Sequence, residues 1–225
     1  FKRLKLKTRY VKANRSPIQV TNEMWSLTNS NRPLRSNLIT ENRDIESIIS
    51  TTAFRTTGYN PVSTGFAVLT EVEWLLKSNG FSDLNFRLFS MILGGWEMSK
   101  GIIFKGRSIL GMSSEAVPGY QMFGVGGLGS VSGHRYKIQS GSTMEQVNLE
   151  LVFTEEFTQK GFLFKLYYDG GKAYYPSTQP AEMLQGAGFG FGTSKKDGLG
   201  IGFSVARALN GKGPVESTIR LNYNF

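Results

Sequence analysis

The 225 residues include no cysteine and a single histidine, His134. Without thiols there is no disulfide frame, no cysteine nucleophile and no cysteine-borne lipid anchor. A lone imidazole cannot make a multi-histidine metal site, and any Ser-His-Asp arrangement would have to be built around that one ring. Long apolar runs are also missing. No stretch approaches the roughly 18–20 residues of a membrane helix, although hydrophobic residues make up 40% of the chain, so a helical membrane protein is excluded. Acidic residues are outnumbered, 17 against 26 basic, for a net charge of +9, which first suggests nucleic acid. The excess, however, crowds the start at Lys2, Arg3, Lys5, Lys7, Arg9, Lys12 and Arg15. The remainder is near balance, and no nucleic-acid partner is expected. A basic end of this kind meets lipid phosphates at a membrane surface or is a solvated tail, and the residues alone leave both open.

What is abundant is glycine, 27 residues, together with 16 phenylalanines and nine tyrosines. They are arranged with a period of two. Phe66, Val68, Val72 and Trp74 alternate with Glu71 and Glu73; Leu84, Phe86 and Leu88 with Asn85 and Arg87; Ile102, Phe104 and Leu110 with Lys105 and Arg107. Val147, Leu149, Leu151 and Phe153 alternate with Asn148 and Glu150, and Phe162, Phe164, Leu166 and Tyr168 with Lys165, Tyr167 and Asp169. The last segment sets Ile219, Leu221, Tyr223 and Phe225 against Arg220, Asn222 and Asn224. Segments of about ten residues, alternating in polarity and parted by turn residues, predict an all-β transmembrane antiparallel barrel. A mean hydropathy of -0.21 fits, since only every second residue faces lipid. Eight strands are clear in 62–225, with ten to twelve possible in total. Ser78-Asn79-Gly80 and Gly94-Gly95 are expected as turns.

The first 60 residues form a basic N-terminal segment expected to add strands to a barrel domain at 61–225. Residues 1–12 alternate cations with Leu4, Leu6 and Thr8, residues 17–28 offer another strand, 29–44 read as a loop, and 44–57 fit a helical turn or a strand equally well. Two to four strands are expected. The chain opens on Phe1 with no charged-then-apolar leader, so the expectation is a mature chain whose signal peptide is absent.

Two strands carry almost no side chain on one face. Gly186, Gly188, Gly190 and Gly192 alternate with Ala187, Phe189 and Phe191, and Gly198, Gly200 and Gly202 with Leu199, Ile201 and Phe203. Glycine weakens a strand, so such rows predict a close approach to that face or a sharp bend. A loop folded into the lumen would do both, and the glycine-rich stretch from Val125 to Tyr136 is the candidate. It is no phosphate loop, because neither Lys-Ser nor Lys-Thr closes it.

The chain resembles the BamA and TamA superfamily, the bacterial surface-antigen barrels. In that family a loop bearing Gly-Gly and, after a spacer, Val-Arg-Gly-aromatic enters the lumen and meets an Asp of a Phe-x-Asp-x-Gly motif. Here Gly126 and Gly127 precede Val131-Ser132-Gly133-His134-Arg135, and Tyr167-Tyr168-Asp169-Gly170-Gly171 matches the second motif with Tyr for Phe. The likeness is specific over 118–225. It implies that Glu150 and Asp169 face the loop as inward acids beside Gly171, and that the final Ile219, Leu221, Tyr223 and Phe225 act as an assembly signal. Ser132 replaces the family's loop arginine, so Arg135 is expected to pair with Asp169, or another cation such as Lys165 to serve the acids. The family's barrel is larger and is preceded by periplasmic repeat domains, none of which is legible here.

The resemblance implies a bacterial outer-membrane location and a role in outer-membrane protein insertion or translocation, or as a barrel subunit of such a complex. The implied partners are the lipid bilayer, lipopolysaccharide, the assembly machinery and client proteins, with the chain a monomer or small homo-oligomer. A passive outer-membrane pore, or an anchor and translocator for an N-terminal passenger, are the alternatives. No enzyme, metal or cofactor is expected: His134 falls where the family carries an aromatic, and Glu71 with Glu73 is an ordinary lumenal pair.

Overall fold

The computed structural model describes residues 3–15, 43–56, 64–78, 85–114, 122–127, 129–159, 161–178, 181–193, 198–210 and 215–224. Ten strands form one antiparallel sheet: β1 (Arg3–Arg15), β2 (Arg43–Arg55), β3 (Gly65–Ser78), β4 (Asn85–Ser99), β5 (Ile102–Ser113), β8 (Thr143–Phe153), β9 (Phe162–Tyr174), β10 (Leu184–Thr193), β11 (Gly198–Ala208) and β12 (Glu216–Asn224). Each pairs with its neighbour in sequence. The meander is interrupted once, between β5 and β8, by a small hairpin of β6 (Phe123–Val125) and β7 (Gln139–Gly141). A single helical turn, α1 (Glu155–Thr158), joins β8 to β9. Among the described residues β1 pairs with β2 alone and β12 with β11 alone, leaving the sheet two edges.

The eight strands expected in 62–225 are present, and residues 3–15 and 43–55 add two more. The ambiguity over 44–57 resolves as strand, because Ile45, Ser47 and Ile49 alternate inward and are buried. The strand offered by residues 17–28 lies outside the described residues. The basic start is no tail: Lys5, Lys7 and Arg9 stand on one face of β1, with Leu4, Leu6 and Tyr10 on the other. Gly94 and Gly95 are not a turn either. They pair within β4 and β5, and the chain reverses at Lys100 and Gly101, where Gly101 has the φ of +77° that a tight reversal demands.

The register gives each strand two faces. One carries the polar and small residues and the β6–β7 hairpin, and is called the inner face here. The other carries apolar side chains that stand exposed: Leu6 at 72%, Trp96 at 67%, and Phe66, Phe86, Ile92, Leu110, Leu166, Phe189, Phe191 and Ile201 around half exposed. This inverts the polarity of a soluble half-buried sheet. The main buried apolar cluster lies instead between hairpin and sheet. Phe123, Val125 and Val131 pack on Ile109 of β5, Met144 of β8 and Ala173 of β9. Val125 and Val131 have no exposed surface, and burying two such side chains contributes about 1.5–3 kcal/mol each.

Candidate functional site

The loop between β6 and β7 folds back on itself before it meets the sheet. Gly127 N–H donates to the Val131 carbonyl at 3.1 Å and Lys137 N–H to that of Gly126 at 3.1 Å, closing the loop across Gly126 and Gly127. Both glycines have positive φ, and a Cβ at Gly126 would meet the Arg135 carbonyl oxygen. The Gly-Gly pair is therefore the crossing point of the loop's two arms. Beyond it, Ser132, Gly133 and His134 are buried against the sheet.

Asp169 on β9, only 6% exposed, receives the loop. Its Oδ2 accepts the Ser132 backbone N–H at 3.2 Å and its Oδ1 accepts the Asn148 amide at 2.6 Å. Asn148 is opposite Asp169 in the β8–β9 register, so the amide and the carboxylate share one rung. The same amide nitrogen donates to the Ser130 carbonyl at 2.7 Å. Its oxygen accepts Arg107 Nε at 3.0 Å, Arg107 Nη2 at 2.8 Å and Gln146 Nε2 at 2.7 Å. Arg107 in turn donates through Nη2 to the Gly129 carbonyl at 2.6 Å, and Ser130 Oγ donates to Gln146 Oε1 at 2.8 Å while accepting the Gly126 N–H at 3.2 Å. Asn148 thus sits between a buried carboxylate and a guanidinium with its amide dipole aligned to both. A buried charge requires donors of this kind.

The loop's far edge rests on the next two strands. His134 Nε2 is 2.9 Å from the Gln185 carbonyl oxygen of β10. A Cβ at Gly186 would fall on the Ser132 carbonyl oxygen, and one at Gly133 on the backbone of Arg207 and Ala208 in β11. Gly171 of β9 likewise makes room for Val125 and Val131. The rest of the glycine row is explained differently from expectation. Gly188 is covered by the Tyr167 ring, and Gly190 by the Lys165 side chain, neither of which belongs to the loop.

Two expected partners are elsewhere. Arg135 is exposed and forms no ion pair among the described residues, so it does not serve Asp169. The loop turns back across Gly126 at that residue, whose carbonyl oxygen accepts the Ile138 N–H at 3.2 Å. Glu150 shares the inner face with Asn148 but pairs with Lys165, Oε1 to Nζ 3.2 Å, two residues from Asn148 along β8 and four from Asp169 along β9. Sequence reasoning missed Asn148, Arg107, Gln146 and Ser130 as members of the network. The usable signal was the inward parity of Arg107 on β5 and Gln146 on β8, which the β5–β8 register places beside Asn148. Of the C-terminal residues, Ile219 is exposed on the outer face of β12, Leu221 and Tyr223 lie in that strand opposite Ile201 and Leu199, and Phe225 lies outside the described residues. Among the described residues no group of His, Asp or Glu side chains converges as a metal site.

No family model and no curated protein matches the chain. Among solved structures it is similar to BamA from Haemophilus ducreyi, crystallised without POTRA domains 1–3, with a TM-score of 0.60 and 16% identity. The match covers 97% of this chain and 51% of that one, so the chain spans about half the length of the solved relative. At that identity the likeness is one of backbone architecture, and on that footing the chain shares the all-β fold of BamA.

Proposed function

We propose that the protein is an outer-membrane β-barrel of the surface-antigen, assembly-factor type, in which β12 closes on β1 and the latched loop occupies the lumen. The observation that carries this reading is the inverted polarity of the sheet, large apolar side chains exposed outside and a charged, hydrogen-bonded network inside. In water such an outer face would need another protein to cover it; in lipid it is the required one. The dimensions agree. Phe86 and Trp96 stand ten residues apart on the outer face of β4, roughly 34 Å along a strand and about 26 Å of height at a tilt near 40°, against an apolar band of about 25 Å. The two longest connections, 16–42 and 114–142, leave the sheet at the end opposite the chain termini. Short turns belong on the periplasmic side, which places β1's start and β12's end there.

On this reading the protein acts in outer-membrane protein insertion or translocation, or as a barrel subunit of a complex that does. Its partners are the bilayer, lipopolysaccharide, assembly machinery and client proteins. Unboiled samples of the purified chain should migrate faster on a gel than boiled ones, and liposomes containing it should accelerate insertion of an unfolded barrel client over empty lipid. Solubility as a monomer without detergent refutes the barrel; a client rate equal to that of empty liposomes refutes the insertase. A passive pore is the second reading, favoured by a hollow of ≈ 260 Å³ on the inner face of β1 to β4.

A further inference from the structure

Among the described residues the hairpin leaves part of the inner face uncovered. Its described contacts fall on β5 and β8 to β11, and on β4 through Arg87, whose guanidinium is 4.6 Å from the centre of the Phe123 ring. The hollow lies away from it, lined by Lys5, Ala53, Arg55, Ala67, Leu69 and Leu93 together with Phe54 and Val68. The first six are inner-face positions of β1 to β4.

The charge on this uncovered wall is one-sided. On the inner face of β1 to β4, Lys5, Lys7, Arg9 and Arg55, with Arg87 at the edge where Phe123 of the hairpin meets it, stand against Glu71, Glu73 and Glu97. Glu71 already accepts the Thr51 hydroxyl at 3.4 Å, and Glu73 is buried opposite Arg87 in the β3–β4 register. None of these acids comes from β1 or β2, and Glu97 accepts the Gly101 N–H at 3.3 Å beside the β4–β5 turn. Lys5, Lys7 and Arg9 are exposed, and with Arg55 they form no ion pair among the described residues. Alternate residues of a strand lie about 6.8 Å apart, less than the roughly 10 Å Debye length of 0.1 M salt, so their potentials overlap. Elsewhere on the inner face acids and bases are interleaved: Glu150 pairs with Lys165 and stands opposite Lys105, and Asp169 is linked to Arg107 through Asn148.

We propose that the β1–β4 wall lines an anion-selecting path past the latched loop, admitting small inorganic anions such as chloride. The proposal rests on the barrel reading above. Cationic side chains ringing a pore favour anions, and a mean potential of only about one kT enriches chloride and depletes potassium by a combined factor of about seven. The path follows the half of the wall that the hairpin does not cover, so a seated loop narrows the lumen and also decides which residues line it.

The test is reversal potential in planar bilayers under a KCl gradient, using full-length protein whose faster migration before boiling confirms a closed barrel. A several-fold preference for chloride is expected, shrinking as salt approaches 1 M and screening shortens to about 3 Å. The Lys5→Gln/Lys7→Gln/Arg9→Gln variant should bring the ratio near one. Lys12→Gln, which removes an outer-face cation paired with Glu46 at 3.1 Å, should leave it unchanged. If the triple variant fails to fold, the wild-type ratio and its salt dependence decide. A preference for potassium, or no current from protein that shows the gel shift, overturns the proposal. Absence of the gel shift overturns the barrel reading and this inference with it.

Discussion

Asn148 is the residue on which the latch turns, because it satisfies both ends of the network at once. Removing it leaves the Asp169 carboxylate with the Ser132 N–H alone and strands Arg107 Nε without its acceptor. A buried charged group that loses a partner costs upward of about 1–3 kcal/mol. Asn148→Ala and Asp169→Ala should each lower the thermal midpoint and expose residues 126–138 to protease. The double variant should lose less than the sum, with a coupling of about 0.5–3 kcal/mol. Additive losses would mean that the loop is held by the apolar cluster around Val131 alone. Arg135→Ala, an exposed change, should fall within about 0.5 kcal/mol of the parent. At this scale the sequence located the loop and Asp169, since both carry local patterns. It did not locate Arg107, because which residue of β5 meets Asn148 depends on a register set across the long 114–142 connection.

At the scale of elements, strands announced themselves wherever one face is apolar and the other polar over ten residues. The three-residue β6 and β7 are too short to show a period, and α1 is a single turn. Gly94-Gly95 imitated a turn because composition does not distinguish a glycine that reverses the chain from one that lightens a strand. The glycines of β10 and β4 differ in what they face, which gives a paired prediction. Gly186→Val would drive a side chain onto the Ser132 carbonyl and should unseat the loop, raising protease cleavage within 126–138. Gly94 has nothing within 4 Å, so Gly94→Ala should hold or slightly raise the thermal midpoint as a better strand former. Equal protection of the loop in Gly186→Val and the parent would show that β10 does not seat it.

For the whole molecule, the deciding quantity is what surrounds the outer face, and one substitution distinguishes the possibilities by magnitude. Ile92 is at the middle of β4, 43% exposed on that face, and Trp96 is four residues nearer the turn at 67%. Were the face in water, arginine at Ile92 would change stability by no more than about 0.5 kcal/mol, as surface replacements do. In a bilayer the same arginine lies near the midplane and costs about 2–4 kcal/mol, while at Trp96 the cost falls toward about 0–1 kcal/mol because the side chain reaches the interface. Equilibrium unfolding by guanidinium from phosphatidylcholine vesicles should therefore give a large loss for Ile92→Arg and a small one for Trp96→Arg. Substitution at Lys7, an exposed inner-face residue, should give almost none. A flat response across the three positions would mean that depth in a membrane does not govern this face, and the sheet would then need another protein to cover it.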